Sequence, residues 1–118
     1  MNERQILLTA VKAADDKKAE DIIVLNMKGI SIVADYFIIC HGNSDKQVQA
    51  IASEMKEKVE EAGYIVKRME GFDEAKWVLV DIGEIVAHIF HRDERSYYNL
   101  ERLWGDAPIE NIQSELSQ

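Results

Sequence analysis

A run of strand-forming residues, Tyr36-Phe37-Ile38-Ile39-Cys40, leads into His41-Gly42-Asn43-Ser44, and a helix-forming stretch follows directly. Such an order can bind phosphate, because the free amides at the start of a helix attract anions. Here the lysine of a P-loop is missing and there is no G-x-G-x-x-G, so a glycine turn with a serine cap is the simpler account. A glycine-serine turn after a strand also occurs in nucleotidyltransferases, which need two acidic residues on a neighbouring strand to hold metal ions for phosphoryl transfer. No Asp-x-Asp pair follows, and Asp81 and Glu84 flank a turn, where their spacing does not put both carboxylates on one strand face.

Metal chemistry has little else to draw on. His41, His88 and His91 do not form an H-E-x-x-H motif, and the single cysteine, Cys40, cannot build a structural zinc site of the usual type. No metal or other cofactor is expected. His88 alternates with Val86 and Phe90 on one strand face, which favours a partly buried, hydrogen-bonded histidine over a catalytic base. Cys40 ends an apolar strand and reads as core. The aromatic residues Trp77, Tyr97, Tyr98 and Trp104 all fall in the second half of the chain, where aromatic side chains ringed by polar residues are typical of protein interfaces. For Trp104, in phase with Tyr97 and Leu100, core packing is an equal alternative; Trp77, after the charged Lys76, leans towards an interface.

The elements that must position these residues follow from periodicity. Residues 3 to 18 read as a helix, with Leu7, Ala10, Val11 and Ala14 at helical spacing. Asp21 to Leu25 is a short β-branched strand, Gly29 supplies a turn, and Tyr36 to Cys40 is the second strand. Ser44 with Gln47 has the capping-box pattern, and Val48, Ile51, Ala52, Met55, Val59 and Ala62 form one apolar stripe that Gly63 terminates. Tyr64 to Met69 alternates as a half-exposed strand would, and residues 70 to 74 read as a loop. Trp77 to Val80 and Ile85 to Phe90, joined by Asp81-Ile82-Gly83-Glu84, form an antiparallel hairpin. Tyr97, Leu100 and Trp104 mark a terminal helix, and a mobile acidic tail is expected over residues 108 to 118. The order α-β-β-α-β-β-β-α implies one α/β domain over residues 3 to 107, with a mixed sheet of about five strands covered by helices.

Composition narrows the function. A chain of 118 residues with 47% hydrophobic and 31% charged residues is globular. Residues 1 to 69 carry 11 acidic and 10 basic side chains, whereas residues 70 to 118 carry 11 acidic and 4 basic. Nucleic-acid binding rests on Lys and Arg neutralising phosphates, so this balance disfavours direct RNA or DNA recognition and suits a basic protein partner. One cysteine, an N-terminus without a signal-like apolar core and no apolar run near the roughly 20 residues that span a bilayer make the cytosol the expected compartment.

Three segments together carry a resemblance: Asp35-Tyr36-Phe37-Ile38-Ile39-Cys40-His41-Gly42-Asn43-Ser44, the Trp77-to-Phe90 hairpin, and Tyr98-Asn99-Leu100-Glu101-Arg102-Leu103-Trp104. In collinear order over roughly residues 3 to 107, the chain resembles the Iojap-like ribosomal silencing factors. The resemblance implies a nucleotidyltransferase-like fold without the catalytic carboxylates, and binding rather than enzymatic turnover. It implies docking on a large-subunit ribosomal protein, the fourteenth in the usual naming, at the intersubunit face, where the protein hinders subunit association and represses translation when nutrients are scarce. Organellar members are linked instead to large-subunit assembly; with no transit peptide in view, the bacterial type fits better. Carried over by position, the partner-facing residues would be Trp77, Asp81, Ile82, Gly83, Glu84, Tyr98, Leu103 and Trp104. His41 stands where many members carry a small hydroxyl residue, which weakens an anion role at Gly42. Some members self-associate, so a homodimer is a further possibility. Two rival readings remain beside the resemblance: a residual nucleotide-binding or nucleotidyltransferase-like enzyme built on Gly42-Asn43-Ser44, and an acidic adaptor with no ribosomal role.

Overall fold

In the computed structural model, which describes residues 2–94, 107–110 and 112, the first helix α1 spans Glu3–Asp16 and the second, α2, spans Asp45–Glu61. Strands β1 (Glu20–Asn26), β2 (Tyr36–Gly42), β3 (Arg68–Glu70), β4 (Trp77–Asp81) and β5 (Ile85–His91) form one sheet in the order β1-β2-β5-β4-β3. Only β2 and β5 pair in parallel; every other neighbouring pair is antiparallel. The mixed five-stranded α/β architecture expected from the sequence is therefore present. The expected helix around Tyr97, Leu100 and Trp104 lies outside the described residues.

The central strand β2 is buried along its whole length, and its alternation splits it between two apolar layers. Tyr36, Ile38 and Cys40 point to the layer beneath the helices, where they meet Leu7, Val11, Val48, Ile51, Met55 and Val59. Phe37 and Ile39 point to the opposite sheet face, with Leu25, Met27, Ala34, Phe90 and Ala107. The same alternation places Ile85, Ala87 and Ile89 of β5 under the helices and Phe90 on the far face. The apolar stripe read from residues 48 to 59 is the buried face of α2, and Gly63, at φ +96°, follows its C-cap, Ala62.

Three local expectations change. The alternating segment Tyr64 to Met69 is a strand only at Arg68–Glu70, because its partner β4 ends opposite Arg68 at Asp81, whose carbonyl takes the Lys67 amide at 2.7 Å as the last bond of the ladder. The capping box expected at Ser44 is half formed. The Ser44 hydroxyl accepts from the Gln47 amide at 3.1 Å, but the Gln47 Oε1 accepts from the Asn43 amide at 2.7 Å. The Gln47 carboxamide also donates to the carbonyls of Lys17 and Lys18, tying the end of α1 to the start of α2. A complete capping box sits instead on α1, between Asn2 and Gln5. Lastly, Pro108 to Glu110, expected as the start of a mobile tail, run antiparallel beside β1. The Asn26 amide donates to the Pro108 carbonyl and the Glu110 amide to the Val24 carbonyl, both at 2.8 Å. The Glu110 carboxylate accepts from Arg4 and Asn26, and Ile112 is buried under the helices.

One glycine is dictated by space. Gly71 has φ +79°, and a Cβ there would collide with the carbonyl oxygen of Trp77. The loop before β4 closes at this point, since the Ala75 amide also donates to the Gly71 carbonyl at 3.0 Å.

Candidate functional site

The hairpin β4–β5 is built by its turn. Gly83 takes φ +96° as the first of two central residues, the arrangement a type II′ turn requires, and the Ile82 amide donates to the Ile85 carbonyl at 2.9 Å. The Asp81 Oδ1 accepts from the Gly83 amide at 2.9 Å, and its other oxygen faces Arg68 Nε at 3.5 Å. Asp81 thus serves the turn. Glu84 lies on the other side and groups with Glu3 of α1 and Asp35, the three offering ligand oxygens within 4.8 Å of one another. Burial, then a hydrogen bond and repulsion from Asp35, raise the pKa of the Glu3 carboxyl, while Lys28 Nζ at 3.8 Å partly offsets the negative charge. These carboxylates are the residues here that could share a cation. Sequence reading named Glu84 but missed the grouping, which arises where the junction of β2 with β5, with the Asp35 amide donating to the Glu84 carbonyl at 2.7 Å, meets the start of α1.

At the opposite end of β4, Trp77 belongs to an aromatic group on the sheet face away from the helices. Its indole N–H donates to His88 Nδ1 at 3.1 Å, and its ring stacks on Phe90 with centroids 5.1 Å apart. Phe37 of β2 meets the His88 ring edge-on at 4.8 Å. Because Nδ1 accepts this bond, the neutral imidazole carries its proton on Nε2. His88 is only 5% exposed, and desolvation lowers its pKa to about 4. It is a buried, hydrogen-bonded histidine, neutral at physiological pH and poorly matched to base catalysis near pH 7.

The residues singled out in the sequence do not converge on one point. Trp77 and the Asp81-to-Glu84 turn stand at the two ends of β4, about 13 Å apart along the strand. Ile82 is 7% exposed and packs in the core beneath the helices, so its side chain supports the fold. Tyr98, Leu103 and Trp104 lie outside the described residues. Cys40 is fully buried.

Around Gly42-Asn43-Ser44 the chain supplies partners for several of its own amides. The Gln47 amide is bonded to the Ser44 hydroxyl, the Val48 amide to the Ser44 carbonyl and the Asn43 amide to Gln47. A Cβ on Gly42 would lie 3.1 Å from the Val48 nitrogen, so the glycine serves close packing of β2 against α2. Glu20 completes the arrangement, with its two carboxylate oxygens 3.2 Å from His41 Nε2 and 3.0 Å from Asn43 Nδ2.

Comparison with known proteins points in one direction. The family model described as "Ribosomal silencing factor during starvation" matches residues 1–118. The chain is 64% identical over 118 residues to the ribosomal silencing factor RsfS of Bacillus subtilis, covering all of both chains. It is 36% identical over 104 residues to the chloroplastic protein Iojap of Zea mays, covering 87% of this chain and 45% of that one. A crystal structure from Bacillus halodurans superimposes with a TM-score of 0.83 at 56% identity, over 92% of this chain and 99% of that one. An X-ray structure of a protein from Chromobacterium violaceum superimposes with a TM-score of 0.87 at 36% identity, over 89% and 88%.

Proposed function

We propose, since this chain belongs to the family of ribosomal silencing factors, that it is a translational regulator that acts by occupying a surface of the ribosome. In this reading it binds a protein on the intersubunit face of the large subunit, the fourteenth large-subunit protein in the usual naming, hinders association of the small subunit and represses translation under nutrient limitation. The observation that carries the reading is the family match along the entire chain, which no isolated motif could supply. The protein works by binding and not by turnover. Support for this comes from the start of α2, where the Ser44 hydroxyl takes the Gln47 amide and the Gln47 side chain takes the Asn43 amide, and from Asp81, whose carboxylate holds its own turn. The working compartment is the cytosol. Among the described residues no helix is long and apolar enough to cross a membrane.

The half-buried Trp77 of the aromatic group is the anchor we assign to this surface, and the Asp81-to-Glu84 turn at the other end of β4, together with Tyr98, Leu103 and Trp104, completes the residues proposed to face the partner. Co-sedimentation with purified large subunits tests it. Truncation of Trp77 or Tyr98 to Ala is expected to weaken binding by about 2 kcal/mol or more, roughly thirtyfold in affinity. Because Trp77 also donates to buried His88, circular dichroism must show that the variant is folded, and Trp77→Phe provides a milder control that keeps the ring stack. Folded Trp77→Ala and Tyr98→Ala variants that bind like wild type would remove these residues from the interface. Wild type that never binds large subunits would end the ribosomal reading itself.

A further inference from the structure

The connection between β1 and β2 exposes three β-branched side chains within four residues: Ile30 is 46% exposed, Ile32 104% and Val33 69%. This is not a loose segment. The Met27 amide donates to the Asp35 carbonyl at 2.7 Å, the Ile30 and Ser31 amides both donate to the Met27 carbonyl at 2.9 Å, and the Val33 amide donates to the Ser31 hydroxyl at 3.1 Å. Its base is pinned by Met27 and Ala34, both buried in the aromatic-side core. An ordered loop that holds apolar side chains in water gains nothing for the fold, whereas a partner that covers them recovers their burial at small ordering cost.

The surroundings say what that partner must be. The loop ends at Asp35, and the Asp35 amide is bonded to the Glu84 carbonyl, so the loop stands beside the Glu3–Asp35–Glu84 carboxylates. Among the described residues Lys28 is the cation paired with this group, 3.8 Å from Glu3, and Lys67 reaches over Gly83 of the adjoining turn, so the three carboxylates outnumber the cations beside them and the rim is negative. That charge disfavours nucleic acid and anionic lipid. It also disfavours a two-fold pairing of loops between copies of this chain, which would press like charges together. We propose that the Ile30–Val33 tip is a docking anchor for a basic protein surface, which receives the apolar side chains in a pocket whose Lys or Arg rim meets Glu3, Asp35 and Glu84. The proposal rests on ribosomal docking of this chain and extends its surface from the Asp81-to-Glu84 turn onto the neighbouring loop.

The test uses the full chain and purified large subunits, with Ile32→Ser, the double variant Ile30→Ser/Ile32→Ser, and Glu84→Lys. Ile32 and Glu84 project into solvent and Ile30 is half-exposed, so circular dichroism checks the fold of each variant, and light scattering of each protein alone reports self-association. The expected result is a loss of about tenfold or more in affinity for the double variant, a smaller loss for Ile32→Ser, and for Glu84→Lys a loss that shrinks as salt is raised. Wild-type binding with unchanged affinity in both serine variants overturns the anchor and leaves the ribosomal reading standing. Absence of wild-type binding overturns both. A wild-type dimer that the double variant splits, with subunit binding unaltered, makes a second copy of this chain the occupant and likewise overturns the proposal.

Discussion

His88 shows how a single side chain can be chemically capable and yet structurally committed. Its pKa is lowered from 6.5 to about 4 by burial, so the folded protein holds the neutral ring while the unfolded chain takes up a proton below about pH 6.5. Between those values the unfolded state binds more protons, and stability must fall as pH falls; integrated over the window the loss is about 3 kcal/mol. We expect the His88 imidazole resonances to titrate near pH 4 and the urea midpoint to drop between pH 6.5 and 4.5. In His88→Leu that drop should be much smaller, whatever the variant's stability at pH 7. An unchanged pH slope in the variant would assign the acid sensitivity elsewhere. Glu110, whose pKa is lowered by hydrogen bonds from Asn26 and Arg4, adds its own loss only at lower pH, as its carboxylate protonates.

At the scale of the element, one side chain ties the start of α2 to the end of α1. Ser44 caps the helix, but Gln47 bonds the Asn43 amide and the carbonyls of Lys17 and Lys18 across the α1–α2 junction. Loss of an N-cap serine costs about 1 kcal/mol, and each hydrogen bond that Gln47 makes contributes a similar amount. Gln47→Ala should therefore destabilise the protein at least as much as Ser44→Ala, by about 1–2 kcal/mol in urea unfolding. A simple capping box predicts the reverse order. The sequence pattern at Ser44 and Gln47 located the helix start correctly; the carbonyls that Gln47 reaches belong to the turn that ends α1, and spacing within one helix cannot reveal them.

For the whole molecule, the proposed action is competition for an exposed face. A steric blocker prevents joining of free subunits yet does not dissociate joined ribosomes, because the small subunit already covers its site. Sedimentation after the two orders of addition measures this; equal effects in both orders would exclude simple occlusion. The acidic balance of residues 70 to 118 adds a second expectation. Association with a basic partner should weaken with salt, since exposed charges are screened beyond roughly 8 Å at physiological ionic strength. Affinity that stays flat from low to high salt would make the charge a solubility feature only.

The sequence alone determined the apolar strands β2 and β5, the apolar stripe of α2, the β4–β5 hairpin and the family to which the chain belongs. Each of these is written in residues close together in the chain, or in a collinear order of segments, and needs no knowledge of what packs where. Tertiary structure decided the rest. It turned Ile82 inward, ended the third strand where β4 runs out, laid Pro108 to Glu110 along β1, and gathered Glu3, Asp35 and Glu84 beside the exposed Ile30–Val33 tip. Those outcomes depend on strand order, register and packing: the parallel pairing of β2 with β5 sets Tyr36 opposite Ile85, and so Asp35 beside Glu84, while the packing of α1 brings in Glu3.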